Sequence, residues 1–242
     1  MSGRDEVDAG QPYLVEQDGQ LTLAFSELAV QSTMDAAAPE RLVLEYSRLM
    51  MASLLFVPEP GHIGMIGLGG GSLVKACHRH LPRTRMTVAE ISPAVIALRD
   101  RFHIPPDDDR LTVSCADGAE WVDGFDIGGM PAALTTQRFY DDCHAALRDG
   151  GVLAINMYAG DALNSAWVER VAASFARSVA VVDTADGDNR IVFAARGNAF
   201  RLSEMKLAQR ARALEARLGI ALPGIARALM DGRRRALADS EP

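Results

Sequence analysis

The stretch that decides the fold is residues 63–90, IGMIGLGGGSLVKACHRHLPRTRMTVAE. An apolar run, Ile63–Leu68, breaks into three consecutive glycines, and a helical pattern follows from Ser72 to about Leu81, where Pro82 stops it. A second apolar run ends on an acid, Glu90. This order predicts a strand, a turn, a helix and a second strand, which together form a β-turn-α-β unit.

Gly67, Gly69 and Gly71 give the spacing G-x-G-x-G at the point where the strand turns into the helix. Glycine is needed there because the turn uses unusual dihedral angles and because a ligand must approach bare backbone. Glu90 follows at roughly the 20-residue distance at which an acid accepts hydrogen bonds from a ribose diol. We therefore predict a nucleotide site, with a tight structural turn and a surface glutamate as the alternative.

Composition sets the class of protein. The chain has 242 residues, of which 48% are hydrophobic and 24% charged, the balance of a globular domain. No apolar run approaches the ~20 residues of a membrane span, and the polar, acidic first ten residues do not resemble a signal peptide. The net charge of −7 argues against nucleic acid as a partner and is compatible with a cationic substrate.

The cysteines and histidines indicate neither disulfides nor a metal site. Cys77, Cys115 and Cys143 are odd in number and scattered, as expected of reduced thiols in a cytoplasmic protein. His78 and His80 lie two residues apart on a predicted helix and so point to different faces. We predict no metal centre.

Residues 1–38 are predicted to form a polar tail and a small β element. Two short strands, Tyr13–Val15 and Leu21–Phe25, flank the turn Asp18-Gly19, and Leu28–Gln31 is a candidate third strand. Residues 39–200 are then expected to form a Rossmann-like nucleotide-binding domain, and residues 201–242 C-terminal helices. The nucleotide-binding domain is predicted to open with a buried helix, Arg41–Phe56, started by Pro39 and carrying Tyr46.

After Glu90, Pro93–Phe102 is predicted to be a helix, and the strand Leu111–Cys115 ends at Asp117-Gly118, from which Asp117 can reach the base of the same nucleotide. The later elements alternate in the same way. They are a helix at Gln137–Leu147, a strand at Val152–Met157, a helix at Leu163–Phe175, an antiparallel pair at Val179–Val182 and Ile191–Ala195, and a helix capped by Ser203.

With these motifs in view, the chain resembles the spermidine synthase family of aminopropyltransferases from about Tyr13 to Arg196. The glycine loop and Glu90 are shared with all class I S-adenosylmethionine-dependent methyltransferases. The β element, Gln31, Tyr46 and the loop Asp123-x-x-Asp126 are more specific to aminopropyltransferases. The resemblance implies an α/β fold with a Rossmann-like sheet of the methyltransferase type, preceded by a small β element.

The resemblance also implies a reaction, in which the amine of putrescine or a similar diamine attacks the propyl carbon beside the sulfonium of decarboxylated S-adenosylmethionine. Asp123 matches the family's base, and Asp126 matches its partner in holding the cationic amine. The donor is a co-substrate and no permanently bound cofactor is expected. The partners are thus a small amine and an adenosyl sulfonium, decarboxylated or not, and a homodimer is left open.

By the same resemblance, five further positions acquire roles in substrate binding. Glu90 would hold the ribose, Asp117 with Gly118 the adenine end, Gln31 the thioether end, and Tyr46 the amine substrate.

Two departures from the family weaken the amine site. Gly70 stands where the family has an acid for the aminopropyl ammonium, and residues 183–190 lack the aromatic that closes the diamine site. These departures keep two alternatives open. One is an S-adenosylmethionine-dependent methyltransferase, and the other is a catalytically degenerate nucleotide-binding paralogue.

The third departure is an apparent deletion. Only five residues separate Asp117 from Asp123, whereas a parallel crossover needs a dozen or more. The sheet could keep a gap beside Ile63–Leu68, Val152–Met157 could move into that gap, or Glu120–Asp126 could stretch across it. We favour the second arrangement, which would displace the two catalytic aspartates and leave catalysis weak or absent.

Overall fold

The structure is a computed structural model that describes residues 11–26, 29–123, 134–222 and 224–230, with the backbone alone at 26, 29–30 and 121–123. Its strands are β1 (Tyr13–Gln17), β2 (Gln20–Ser26), β3 (Ala29–Asp35), β4 (His62–Ile66), β5 (Arg85–Glu90), β6 (Leu111–Cys115), β7 (Val152–Tyr158), β8 (Val179–Asp183) and β9 (Asn189–Ala195). Its helices are α1 (Glu45–Met50), α2 (Ser53–Phe56), α3 (Ser72–His80), α4 (Pro93–Ile96), α5 (Gly118–Asp123), α6 (Gln137–Ala146), α7 (Asn164–Ser174) and α8 (Glu204–Leu218). Residues 224–230 are also helical.

These elements form two compact units. The first contains the described residues up to Leu44 together with Gly64–Cys115. The second contains Glu45–Ile63 and the described residues from Ala116 onward.

The N-terminal β element is an antiparallel sheet in the order β1-β2-β3. Gln17 pairs with Gln20, so β1 and β2 are joined by a two-residue turn. Its residues, Asp18 and Gly19, have φ values of 51° and 74°, the left-handed conformation that such hairpin turns require. The predicted hairpin and third strand are confirmed.

A parallel sheet in the order β4-β5-β6 follows. β5 and β6 pair from Met86 with Leu111 to Glu90 with Cys115, so their carboxyl ends meet at one edge. Met86 and Leu111 are fully buried. This register places Glu90 at the edge where α/β sheets bind their ligands.

The second unit is built on an antiparallel sheet in the order β7-β9-β8. Its core is formed by β7 and β9 together with residues of α6 and α7. The fully buried residues of β9 include Ile191, Val192 and Phe193.

Two of the predicted helices are shorter than expected. The expected helix Arg41–Phe56 begins only at Glu45 and is interrupted after Met50. Arg41 donates its backbone N–H to Ala38 and forms an ion pair with Asp35, and these contacts hold a turn where the pattern predicted helix.

The expected helix Pro93–Phe102 ends at Ile96. Leu98 and Arg99 donate to carbonyls three residues back, as in a tighter turn, and His103 then reverses the chain with a φ of 53°.

The favoured arrangement around the deletion is wrong. β7 pairs along its whole length with β9, from Val152 with Ala195 to Tyr158 with Asn189, and β4 lies at the edge of a different sheet. This ladder occupies one edge of β7, and among the described residues no ladder joins β7 to β4. Residues 120–123 are helical, so the alternative in which Glu120–Asp126 stretches across the sheet edge is also wrong as far as Asp123. Among the described residues β4 pairs only with β5, which agrees with the arrangement that keeps a gap beside Ile63–Leu68.

Candidate functional site

The glycine loop between β4 and α3 has the backbone that the spacing predicted. Gly67, Gly69 and Gly71 have φ values of 86°, 52° and 65°, a region that costs other L-residues roughly 1–2 kcal/mol each. Gly67 donates its N–H to the Ala89 carbonyl at 2.8 Å, which continues the pairing of β4 with β5 into the loop. Gly71 then precedes Ser72, the first residue of α3.

Glu90 ties this loop to the end of the neighbouring strand. Its side chain is buried, with the residue 7% exposed. Oε2 accepts the Leu68 N–H at 2.7 Å, and Oε1 accepts the Ser92 N–H at 2.9 Å. An ionised carboxylate has about four acceptor positions, so these two bonds leave acceptor capacity for a diol.

The glycine loop packs tightly against a turn that follows α4. A Cβ at Gly70 would lie 2.6 Å from Ser32 Oγ and 2.9 Å from the ring of Phe102. A Cβ at Gly71 would lie 2.4 Å from Ile104. Phe102 and Ile104 are both buried, so neither side chain can swing away. The packing explains why this loop carries glycine at position 70.

Gln31, which the resemblance assigns to the thioether end of the donor, lies at a β-bulge. Ser32 pairs with Leu23 and Val30 with Ala24, so Gln31 is the extra residue of β3. Bulges re-aim a side chain and are frequent beside functional sites. Gln31 is exposed, and the neighbouring Ser32 hydroxyl lies 3.2 Å from the Ser72 hydroxyl at the start of α3.

Asp117 and Gly118 lie in the second unit, directly after β6. Asp117 is half-buried, and its Oδ1 accepts the Ala119 N–H at 2.8 Å, which satisfies a backbone group at the start of α5. Gly118 is buried and is the first residue of α5. In this structure the Asp117 side chain therefore caps the N-terminus of α5.

Tyr46 lies in α1, where burial raises the pKa of its hydroxyl. The adjacent Glu45 accepts the Ala185 N–H at 3.1 Å, so the turn between β8 and β9 is held against α1. Beside that turn, Arg190 of β9 forms an ion pair with Asp183 of β8 at 2.7 Å. The stretch that departs from the family at the amine site thus neighbours the helix that carries Tyr46.

The structure does not test the two catalytic predictions. Asp123 is the last residue of α5, and its side chain lies outside the described part of the chain. Asp126 lies wholly outside the described residues.

Sequence reasoning missed Lys75, a buried cation one turn behind the glycine loop. The available signal was a single lysine between Val74 and Ala76 on a helix with an apolar face.

No protein-family model matches the chain. A polyamine aminopropyltransferase of Chromobacterium violaceum is 35% identical to it over 231 residues, which cover 90% of this chain and 88% of the relative. Among solved structures, human methyltransferase-like protein 13 in complex with SAH has a TM-score of 0.65 at 24% identity, covering 73% of this chain and 93% of that one. Spermidine synthase from Thermotoga maritima has a TM-score of 0.63 at 19% identity, covering 94% of this chain and 88% of that one. The structural likenesses show the expected fold.

Proposed function

We propose, from the premise that this chain belongs to the polyamine aminopropyltransferase family, that it moves an aminopropyl group from decarboxylated S-adenosylmethionine to a diamine such as putrescine. The identity to the Chromobacterium violaceum relative extends over most of both chains.

The family assignment carries the choice of aminopropyl transfer, and the glycine loop held by Glu90 is the structural observation that supports an adenosyl donor. The loop presents bare backbone in a left-handed conformation, and a buried carboxylate lies at the carboxyl end of the next parallel strand. Both features suit the ribose of an adenosyl donor. The spermidine synthase and methyltransferase neighbours support an adenosyl sulfonium as co-substrate.

The remaining roles come from the resemblance. Asp117 with Gly118 would hold the adenine end, Gln31 the thioether end, and Tyr46 the amine. In the reaction, the deprotonated amine nitrogen attacks the propyl carbon beside the sulfonium. A new C–N bond forms, the C–S bond breaks, and its electron pair leaves with methylthioadenosine.

Proton transfer is the step that the chain itself must supply. A diamine is an ammonium near neutral pH and becomes a nucleophile only after losing a proton. We assign that proton to Asp123 and the cationic end of the amine to Asp126, because a carboxylate both attracts the cation and accepts its proton.

A methyltransferase is the second candidate, and one observation favours it. The packing of Ser32 and Phe102 around Gly70 fills the space that an acidic side chain at that position would need. A donor that keeps its carboxylate has no use for such an acid, because its terminal group is not a simple ammonium.

Calorimetric titration separates the two candidates. An aminopropyltransferase should bind decarboxylated S-adenosylmethionine and methylthioadenosine more tightly than S-adenosylmethionine. Tighter binding of S-adenosylmethionine would favour methyl transfer, and binding of none of the three would overturn the nucleotide site itself.

A further inference from the structure

A buried cation lies directly behind the glycine loop. Lys75 is 4% exposed, and its Nζ donates a hydrogen bond to the Phe102 carbonyl at 2.7 Å. The same Nζ lies 5.9 Å from the centre of the Phe102 ring. Lysine is almost never fully buried unless it is paired, so this contact accounts for the position of the ammonium.

The carbonyl that Lys75 holds belongs to the turn that shapes the loop. The Phe102 ring fills the space beside Gly70, and the Ile104 side chain fills the space beside Gly71. Between them His103 has a φ of 53°, a conformation that a residue with a side chain adopts only with support from its surroundings. The hydrogen bond that anchors Phe102 therefore helps to hold the Phe102 ring against Gly70 and the Ile104 side chain against Gly71.

The helix completes the connection from the other side. Lys75 donates its own N–H to the Gly71 carbonyl at 2.9 Å, so it belongs to the first turn of α3. One residue thus contacts the end of the loop through its backbone and the supporting turn through its side chain.

We propose that Lys75 is a positioning residue of the donor site, whose ammonium holds residues 102–104 against the glycine loop and so fixes the backbone to which an adenosyl ligand binds. The inference rests on the proposed function, because it takes Gly67–Gly71 as the ligand-binding backbone. Lys75 acts through Phe102 and does not itself touch the donor.

The ionisation of Lys75 provides a readout specific to this role. Burial lowers the pKa of Lys75 to about 8, and the nearby Glu40 carboxylate opposes that shift. Glu40 also forms an ion pair with Arg79 at 2.9 Å. Burial raises the pKa of the Cys77 thiol on the same helix to about 12, so that thiol stays protonated between pH 7 and pH 9. A neutral amine donates a weaker hydrogen bond than an ammonium, so this anchor should loosen as the pH rises through about 8.

The binding test compares Lys75→Met, which removes the donor, with Lys75→Arg, which keeps a cationic donor. Arg79→Met is the matched control, because Arg79 lies on the same helix, pairs with Glu40 and is 63% exposed in its side chain. Methylthioadenosine is titrated at pH 7 and pH 9. We expect Lys75→Met to lose about fivefold in affinity at pH 7, with partial rescue in Lys75→Arg and no change in Arg79→Met. The affinity of the wild-type protein for methylthioadenosine should fall between pH 7 and pH 9. The affinity of Lys75→Met should be the same at both pH values.

Hydrogen exchange without ligand gives an independent test. Exchange at residues 67–71, corrected for the intrinsic rate, should speed up in Lys75→Met and stay unchanged in Arg79→Met, with α8 as internal reference. Wild-type affinity and wild-type exchange in Lys75→Met would overturn the proposal. If that variant does not fold, wild-type affinity and exchange that are independent of pH from 7 to 9 would overturn it equally. A wild-type protein that binds no adenosyl ligand would overturn the proposed function, while the exchange data would still decide whether Lys75 holds the loop.

Discussion

Glu90 illustrates how one carboxylate can stabilise a loop and remain suited to a ligand. Its two oxygens accept the N–H groups of Leu68 and Ser92, and these bonds fix the loop and the residue after β5 with respect to each other. Because charge-assisted bonds of this kind are strong, the carboxylate is already oriented for the ribose diol of the proposed donor.

Replacing Glu90 with alanine should weaken adenosyl-ligand binding by more than about tenfold, since it removes the charge-assisted bond to the loop and the proposed one to the ribose. Calorimetry with methylthioadenosine measures the effect. Glu120→Gln, a change at an exposed glutamate of α5, serves as the control. Unchanged affinity in Glu90→Ala would remove Glu90 from the site.

Replacing Asp123 with asparagine should abolish turnover with diamines while changing donor affinity little. The amine loses its proton acceptor, whereas the proposed ribose contacts belong to other residues. Parallel measurements of turnover and of methylthioadenosine affinity make the test. A variant that keeps most of its turnover would exclude Asp123 as the base.

Sequence spacing predicted the residues of the loop but not what surrounds them. Gly67, Gly69 and Gly71 were predictable because a strand-to-helix turn needs positive φ in this pattern. Lys75 was not, because its burial depends on Phe102, which lies 27 positions further along the chain.

At the scale of elements, the described helices begin and end where local hydrogen bonds permit. α8 starts after Ser203, the predicted cap, whose side chain accepts the Lys206 N–H. Its buried residues lie on one face of the helix and are Leu207, Ala211, Leu214 and Leu218. α1 starts four residues later than Arg41 because contacts of Arg41 with Asp35 and Ala38 hold a turn. Periodicity detects the apolar face of a helix but not a competing turn.

Replacing Ser203 with alanine should lower the free energy of unfolding by about 1 kcal/mol, because the Lys206 N–H loses its acceptor at the helix start. Urea denaturation measures this change, and Ser203→Asp, which keeps an acceptor, should remain close to the wild type. Equal stability of the alanine variant would show that this cap contributes nothing.

The free energy of unfolding should depend on pH because Lys75 of α3 has a lowered pKa in the folded protein. Its folded pKa of about 8 lies below the ordinary 10.5, so between these values the unfolded chain binds more protons than the folded one. The free energy of unfolding should therefore rise from pH 8 to pH 10.5, relative to Lys75→Met, by on the order of 1–3 kcal/mol. We expect the gain in stability from neutralising the buried ammonium to exceed the loss from the weaker hydrogen bond to the Phe102 carbonyl.

Denaturant titrations of both proteins at pH 7, 8, 9 and 10 check the prediction. A constant difference between wild type and Lys75→Met across that range would show that the Lys75 ammonium is not destabilised by burial.

At the scale of the whole molecule, the order of the elements and the antiparallel pair of β8 and β9 were predictable, whereas the pairing of β7 with β9 was not. Each strand from β4 to β9 was visible as an apolar run. The choice of β9 as the partner of β7 depends on tertiary packing that periodicity does not encode. The short connection between Asp117 and Asp123 was evident from the sequence, and the structure resolves it as a helix.

The central claim is that this chain transfers an aminopropyl group. The most direct measurement incubates the protein with decarboxylated S-adenosylmethionine and putrescine and quantifies both products by mass spectrometry. We predict methylthioadenosine and spermidine in equal amounts, with both lost in Asp123→Asn. Absence of both products, or methylation of an acceptor with S-adenosylmethionine as donor, would contradict the claim.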